Sequence, residues 1–179
     1  MMNKTGVKIL IFTVLLLTIL IPTNANAYTK NGHYMTKAAA KNFKIYINGS
    51  AAGYKSIIIN GAKVWNVSPY LNTVSLGNDV NPHFTVSTSK VDRGSIVATN
   101  QPWILKSTPS IRVKSEITTY NAFKSLSTSD KTETIAHEFG HGFGLGHITT
   151  KNGIMLAKGF TKKIKPQADD LNGIKSIYK

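Results

Sequence analysis

Hydrophobic and polar positions alternate around residue 45. Phe43, Ile45 and Ile47 are each separated by one residue, and Asn48-Gly49 follows them. Because successive side chains of a strand point to opposite faces, this spacing predicts a strand with one buried face. The Asn-Gly pair is expected to end it.

The spacing changes to that of a helix over residues 51–66. The apolar residues of this segment recur at intervals of three and four and would form one stripe: Tyr54, Ile57, Ile58, Ala62 and Trp65. Such a stripe predicts a helix that packs against a sheet. Ser68-Pro69 is expected to end the helix, and residues 77–82, which contain Asn, Asp and Pro, are expected to form a loop.

Three further strands are predicted between residues 84 and 117. Their defining positions are Phe84, Val86 and Thr88 for the second strand, Ile96, Val97 and Ala98 for the third, and Ile111, Val113, Ser115 and Ile117 for the fourth. Together with the helices, these strands indicate an α+β domain.

Two helices are predicted in the C-terminal third. The first covers residues 128–143, where Asp130 and Glu133 have the spacing of a capping box with Asp in place of Ser or Thr. The second covers residues 167–178 after Pro166. Acidic residues lie near its N-terminus, and its apolar positions share one face: Leu171, Ile174, Ile177 and Tyr178.

The first 27 residues have the pattern of an export signal. Lys4 and Lys8 precede an apolar run over residues 9–21, and Ala25 and Ala27 occupy the small-residue positions of a cleavage site. The run has 13 residues, whereas a membrane-spanning helix needs roughly 20. We therefore expect cleavage after Ala27, no membrane span in the mature chain, and a location outside the cell, free or attached to the cell envelope.

Composition bounds the remaining chain. Residues 28–41 are expected to form a short N-terminal arm and residues 42–179 a single domain, a usual size for one core. The sequence has no cysteine, so core packing, and metal if present, must stabilise it without disulfides. We expect a monomer.

The charge balance favours anionic partners. Residues 28–179 contain 20 Lys and Arg against eight Asp and Glu, a net charge that attracts anionic surfaces. The lysines are scattered, and only two arginines occur, Arg93 and Arg112. Specific nucleic-acid binding is therefore not expected, and anionic cell-envelope polymers or acidic substrates fit an exported protein better.

Residues 137–147 contain the residues best suited to chemistry. Four residues span about one helical turn, so His137 and His141 can present imidazole nitrogens to one metal ion, with Glu138 placed beside them as a general base. A catalytic zinc needs a third protein ligand and an open position. His147 can supply that ligand if the chain turns sharply at Gly144, since glycine adopts positive φ at little cost.

This segment resembles the metzincin metallopeptidases, whose HExxHxxGxxH signature is matched at every fixed position. Within them the chain is most similar to the matrixins and their small bacterial relatives. Met155 follows the third histidine by eight residues, as in the matrixin Met-turn, and residues 169–178 resemble the matrixin C-terminal helix.

The resemblance implies a zincin fold with a twisted mixed sheet, a backing helix over residues 51–66, an active-site helix and a C-terminal helix. It implies a secreted zinc endopeptidase in which His137, His141 and His147 hold one Zn²⁺ and Glu138 activates water. Met155 would be an apolar support below the metal. Peptide or protein substrates would pair with an edge strand, expected over residues 95–99.

Some positions depart from the matrixin pattern. Ile148 follows the third histidine where astacins have Glu and adamalysins Asp. Ala157 and Gly159 replace the Pro and Tyr that shape the main specificity pocket of matrixins, so pocket preference cannot be transferred. Calcium is possible in this family but unsupported by ligand-type clusters here, and His33 and His83 are expected to be ordinary surface or loop residues.

Two alternatives remain open. The first is an exported zinc-stabilised protein without catalysis that binds anionic envelope polymers, motivated by the positive charge. The second is a deacetylase-like hydrolase acting on small amides with the same site.

Overall fold

The computed structural model describes residues 28–72 and 75–179, so the predicted export signal lies outside the described residues. In that part of the chain, five strands form one sheet: β1 Lys44–Ile47, β2 Ser75–Leu76, β3 Phe84–Thr88, β4 Ala98–Leu105 and β5 Thr108–Thr119. The α-helices found there are α1 Lys37–Lys41, α2 Lys55–Lys63, α3 Asn121–Lys124, α4 Thr128–Gly142 and α5 Ala168–Tyr178.

The sheet is mixed and mostly parallel. Its strand order is β2-β1-β3-β5-β4. The pairs β1–β2, β1–β3 and β3–β5 are parallel, whereas β4 runs antiparallel to β5 at one edge. The predicted α+β fold with a twisted mixed sheet is confirmed.

The backing helix is present with irregular ends. A 3-10 segment Gly49–Tyr54 leads into α2, and a second one, Val64–Val67, follows it. The helix crosses α4 closely at Gly61, where a Cβ atom would lie 2.6 Å from Ile135 Cγ2. Glycine therefore allows the two helices to approach at that point.

Phenylalanine rings in β3 and α4, and at positions next to β1 and α4, form the centre of the core. The centroids of Phe43 and Phe84 lie 5.5 Å apart, and that of Phe84 lies 4.6 Å from Phe139. Phe143 packs edge-to-face on Phe43 at 5.0 Å. These spacings are favourable for aromatic pairs, so the sheet and α4 are joined through fully buried rings.

The third predicted strand was placed wrongly. Ile96 and Val97 lie outside β4, which begins at Ala98 and continues to Leu105. The backbone N–H of Ile96 closes a turn to Arg93 O at 3.2 Å. The observed strand has little apolar alternation because it is an edge strand. The edge expected over residues 95–99 overlaps it only at its first two residues.

A bulge alters the faces of β5. Trp103 pairs with Lys114 and Ile104 pairs with Arg112, which leaves Val113 as an extra residue. Arg112 is consequently buried and Val113 is exposed. The sequence predicts that one face of this strand carries Ile111, Val113, Ser115 and Ile117. The bulge interrupts that face.

The predicted capping box at Asp130 and Glu133 is also wrong. Ser127 is the N-cap of α4, and its side chain accepts a hydrogen bond from Asp130 N at 3.1 Å. A capping box does occur in α5, between Gln167 and Asp170.

Among the described residues, no helix is both long and apolar enough to cross a membrane.

Candidate metal centre

Helix α4 carries two of the three histidines. His137 and His141 are one turn apart, and their ring centroids are separated by 4.6 Å. The buried face of α4, with Ile135, Ala136 and Phe139, packs into the core. This packing directs the histidine face away from the phenylalanine cluster.

The end of α4 redirects the chain toward the metal site. Gly144 has φ +106°, and its N–H donates to His141 O at 3.0 Å while Leu145 N donates to Gly140 O at 3.0 Å. This pair of bonds is the Schellman arrangement, which satisfies the last carbonyls of a helix and reverses the chain. The predicted positive φ at Gly144 is present.

The turn brings His147 to the two helical histidines. One ligand atom from each of His137, His141 and His147 lies within 4.8 Å of the others. The Nε2 atoms of His141 and His147 are 3.1 Å apart. Tetrahedral zinc with Zn–N bonds of about 2.0–2.1 Å requires a nitrogen separation of roughly 3.3 Å, so the spacing of His141 and His147 fits this ion.

Backbone carbonyls fix the protonation of the helical histidines. His137 Nδ1 lies 2.8 Å from Ile154 O, and His141 Nδ1 lies 2.8 Å from Leu145 O. A carbonyl only accepts, so both Nδ1 atoms carry the hydrogen and each neutral ring leaves its Nε2 lone pair free. Burial lowers the pKa of His137 to about 4 and that of His141 to about 3.

Glu138 follows the first helical histidine, and its carboxyl group is buried without a charged or hydrogen-bonded partner for Oε2 among the described residues. Glu138 is only 6% exposed. Burial raises the pKa of this carboxyl to about 8. A cation held nearby would favour the ionised carboxylate, so the arrangement is suited to a positive charge at the histidine cluster.

Met155 lies against α4 at Gly140, a residue between the two helical histidines in sequence. It is fully buried, and its Sδ atom is one of the nearest neighbours of Gly140. Its carbonyl accepts from Ile148 N at 2.8 Å. Residue 155 therefore joins the underside of α4 to the chain just after His147.

The N-terminal arm supports the same turn, which the sequence did not indicate. Thr29 Oγ1 donates to His147 O at 2.6 Å, and the Thr29 carbonyl accepts from Gly146 N at 2.9 Å. The Asn31 amide donates to His141 O at 2.9 Å. Residues 29–31 thus run along the segment that carries the third histidine. Helix α1, also not predicted, follows the arm.

Three other polar residues near the site were missed. Asn100 of β4 donates to Glu138 O at 2.7 Å, and Arg112 Nη1 donates to Asn100 Oδ1 at 2.9 Å. Glu133 of α4 accepts from Thr161 N at 2.6 Å. The buried position of Arg112 depends on the bulge, so strand alternation alone could not identify it.

The other two histidines and both tryptophans lie outside the cluster. His33 Nδ1 bonds Pro109 O at 2.7 Å, and His83 Nδ1 accepts from Lys44 N at 2.9 Å. Trp65 is buried in the core, whereas Trp103 is exposed on β4.

Comparison with known proteins agrees with this geometry. The family model described as Matrixin matches residues 61–179, which is about two thirds of the chain and includes all three histidines. A search of curated proteins gave no match. The matched region covers α4, its terminal turn and α5, so the chain belongs to the matrixin family of metallopeptidases.

Proposed function

We propose that this protein is an exported zinc endopeptidase with Glu138 as its general base. The proposal is carried by one observation: one ligand atom from each of three imidazoles lies within 4.8 Å of the others, and the residue after the first histidine is Glu138, whose buried carboxyl has an oxygen without a hydrogen-bond partner among the described residues. A structural metal site would not need such a carboxylate, because its burial without a partner costs free energy.

His137, His141 and His147 would hold one zinc ion. When bound, zinc supplies Lewis-acid polarisation of the scissile carbonyl and activation of the attacking water. The carbonyls of Ile154 and Leu145 keep the two helical imidazoles oriented for this role.

Glu138 would move the proton. Its carboxylate accepts a proton from the attacking water and then delivers that proton to the departing amine. Burial raises the pKa of this carboxyl to about 8 in the metal-free chain, and a cation bound at the histidines would favour the ionised form that can accept the proton.

An extended peptide would bind along β4. This strand has β5 on one side and is the last strand of the sheet, so its other edge can pair with a peptide backbone. Asn100 joins β4 to α4 at the Glu138 carbonyl. A peptide paired there lies beside the helix that carries Glu138. Because this pairing uses only the peptide backbone, the substrate needs no free chain end, as expected for an endopeptidase.

Export is supported by the basic, apolar and small-residue pattern of residues 1–27. Mass measurement of the chain recovered from the medium of an expressing cell tests it. The expected mature chain starts at Tyr28; a chain retaining the leader would contradict cleavage after Ala27.

The decisive experiment compares Glu138→Gln with the matched control Glu116→Gln in residues 28–179. We expect one zinc per chain in both proteins. General-base catalysis typically contributes about 10²–10⁴-fold, so cleavage of a peptide library should fall by that factor only in the first variant. Internal cleavage sites in the products would identify an endopeptidase.

Three outcomes would count against the proposal. Undiminished cleavage by Glu138→Gln would remove the assigned base, and unchanged zinc content in His147→Ala would remove that residue from the ligands. Zinc binding with no cleavage of any peptide would favour the alternative, an exported binding protein for anionic polymers.

A further inference from the structure

The β4–β5 hairpin extends beyond the sheet. The strand β3 pairs with β5 only from Ser115 to Thr119, and the N-terminal arm contacts β5 near Ser110 and Arg112. Residues 103–114, here called the hairpin tip, therefore form a ribbon of two irregularly paired strands, which Tyr34 of the arm contacts at Ile111.

The hairpin tip exposes a contiguous apolar group. Trp103 is 53% exposed, Ile104 41% and Leu105 43%, and Val113 across the ribbon is 48% exposed. Single exposed apolar residues are normal in soluble proteins, but three in succession beside a fourth are not explained by folding. Contiguous patches of this kind mark interaction sites.

The apolar side chains lie on both faces of the ribbon. Successive strand residues point to opposite sides, so Trp103, Ile104 and Leu105 cannot share one face. A flat protein partner would cover one face of the ribbon and leave the other in water. A medium that surrounds the tip would cover both.

Charge around the hairpin tip is positive. Residues 94–115 contain no Asp or Glu. Arg112 is buried there, so the basic side chains that can reach a surface are those of Lys106 and Lys114. The nearest acid in sequence, Glu116, is bound to Lys114 at 2.7 Å. Lys106 is exposed at the turn, so the tip complements a negatively charged surface.

We propose that the hairpin tip inserts into the interface of an anionic lipid bilayer and holds the protein on that surface. Lipid interfaces accept apolar side chains together with lysines, and tryptophan favours the headgroup level. A soluble anionic polymer would require the lysines alone and would give no role to the exposed Trp103, Ile104 and Leu105. The inference does not depend on catalysis.

The two tryptophans make the proposal directly measurable. Trp65 is fully buried, and its Nε1 donates to Ala136 O at 2.9 Å, so its fluorescence should not respond to a surface. Trp103 is exposed and should respond. The protein used is residues 28–179, because the apolar leader would itself bind lipid.

Vesicles of phosphatidylglycerol should shift the emission to the blue and protect Trp103 from acrylamide, whereas phosphatidylcholine vesicles and soluble polyphosphate should not. The variant Leu105→Ser keeps both tryptophans, and loss of one buried leucine should weaken vesicle binding by about tenfold or more. Lys106→Glu should weaken it by a similar factor. Val67→Ser, at an exposed valine outside the hairpin, is the matched control.

Thermal unfolding of each variant establishes that it is folded. Unchanged Trp103 emission with phosphatidylglycerol vesicles would overturn the proposal, and so would full-strength binding by Leu105→Ser. An equal shift with polyphosphate would assign the tip to polyanions, and equal binding to phosphatidylcholine would remove the requirement for negative charge. Either result contradicts the proposal as stated.

Discussion

The side-chain amide of Asn100 on β4 donates a hydrogen bond of 2.7 Å to the main-chain carbonyl of Glu138 on α4. The other end of the same amide accepts from Arg112 Nη1 at 2.9 Å. Arg112 is buried, pairs with no carboxylate of the described residues, and also donates to Ser115 Oγ at 2.8 Å. The edge strand and the histidine-bearing helix are therefore fastened through one amide and one buried guanidinium.

Asn100→Leu removes both bonds and leaves Arg112 with fewer acceptors. We expect the free energy of unfolding to fall by about 1–3 kcal/mol, because a buried charged donor loses a partner. Chemical denaturation measures the change, and Gln101→Leu on the exposed side of β4 should stay within about 0.5 kcal/mol of the native value.

The double variant Asn100→Leu with Arg112→Met tests the cause. Replacing a buried ionic group by an apolar one is often neutral or stabilising, so the double variant should be more stable than Asn100→Leu alone. A double variant less stable than the single one would contradict the role given to the guanidinium.

Gly144→Ala should disturb the turn to His147 more than a glycine substitution elsewhere. Gly144 has φ +106°, and an added Cβ would lie 2.9 Å from Tyr34 Cβ. Gly159 has φ +78° with open space around it, so Gly159→Ala isolates the conformational cost of about 1–2 kcal/mol. The loss of stability in Gly144→Ala should be larger by a further 1–3 kcal/mol, roughly, because the added Cβ is overpacked. The zinc content of Gly144→Ala should also fall. Equal effects of the two substitutions would argue against crowding at the turn.

Glu133 fastens the segment after Met155 to α4. It is buried and accepts from Thr161 N at 2.6 Å, Thr161 Oγ1 at 2.7 Å and Lys162 N at 3.0 Å. Glu133→Gln places an amide N–H against the Lys162 N–H, so about 1–3 kcal/mol of stability should be lost.

Urea unfolding and limited proteolysis between residues 157 and 165 measure this loss. Glu116→Gln, at a half-buried glutamate on β5 that does not contact this segment, is the control. Unchanged proteolysis in Glu133→Gln would show that the carboxylate does not hold this segment.

The metal-free protein should be most stable near pH 6.5. Below that pH, the histidines of the unfolded chain bind protons, whereas His137 and His141 of the folded chain stay neutral, because burial lowers their pKa values to about 4 and 3. Stability therefore falls as pH decreases. Above pH 6.5 the folded chain still holds the proton on Glu138, whose pKa is raised to about 8, so stability falls as pH rises.

The slope from one such group approaches about 1.4 kcal/mol per pH unit. Urea denaturation in the presence of a chelator, repeated from pH 5 to 8, would record both branches. Glu138→Gln should lose the fall above pH 6.5 and keep the fall below it. If Glu138→Gln still loses stability above pH 6.5, that loss comes from another group.

The elements with strong local patterns were predictable. The alternation around Ile45 gave β1, and the helical spacings gave α2, α4 and α5 close to their observed bounds. Burial of an apolar face determines these segments, and that requirement is visible in residue spacing. The edge strand β4 was misplaced because an edge strand buries little and shows little alternation.

Local sequence also determined the metal centre to a large extent. Helical geometry brings His137 and His141 together, and Gly144 permits the turn that returns His147, so the three donor atoms could be named from spacing and family resemblance. The supporting contacts of Thr29, Asn31, Asn100 and Glu133 could not be named, since their partners are distant in sequence.

The sequence by itself thus determined which side chains could share a metal ion, because those residues lie within eleven positions of one another and helix and turn geometry relate them. Only the tertiary structure decided what holds them in place and where Arg112 and Trp103 lie. A bulge in β5 and contacts between distant segments set those positions, and neither leaves a periodic pattern in the chain.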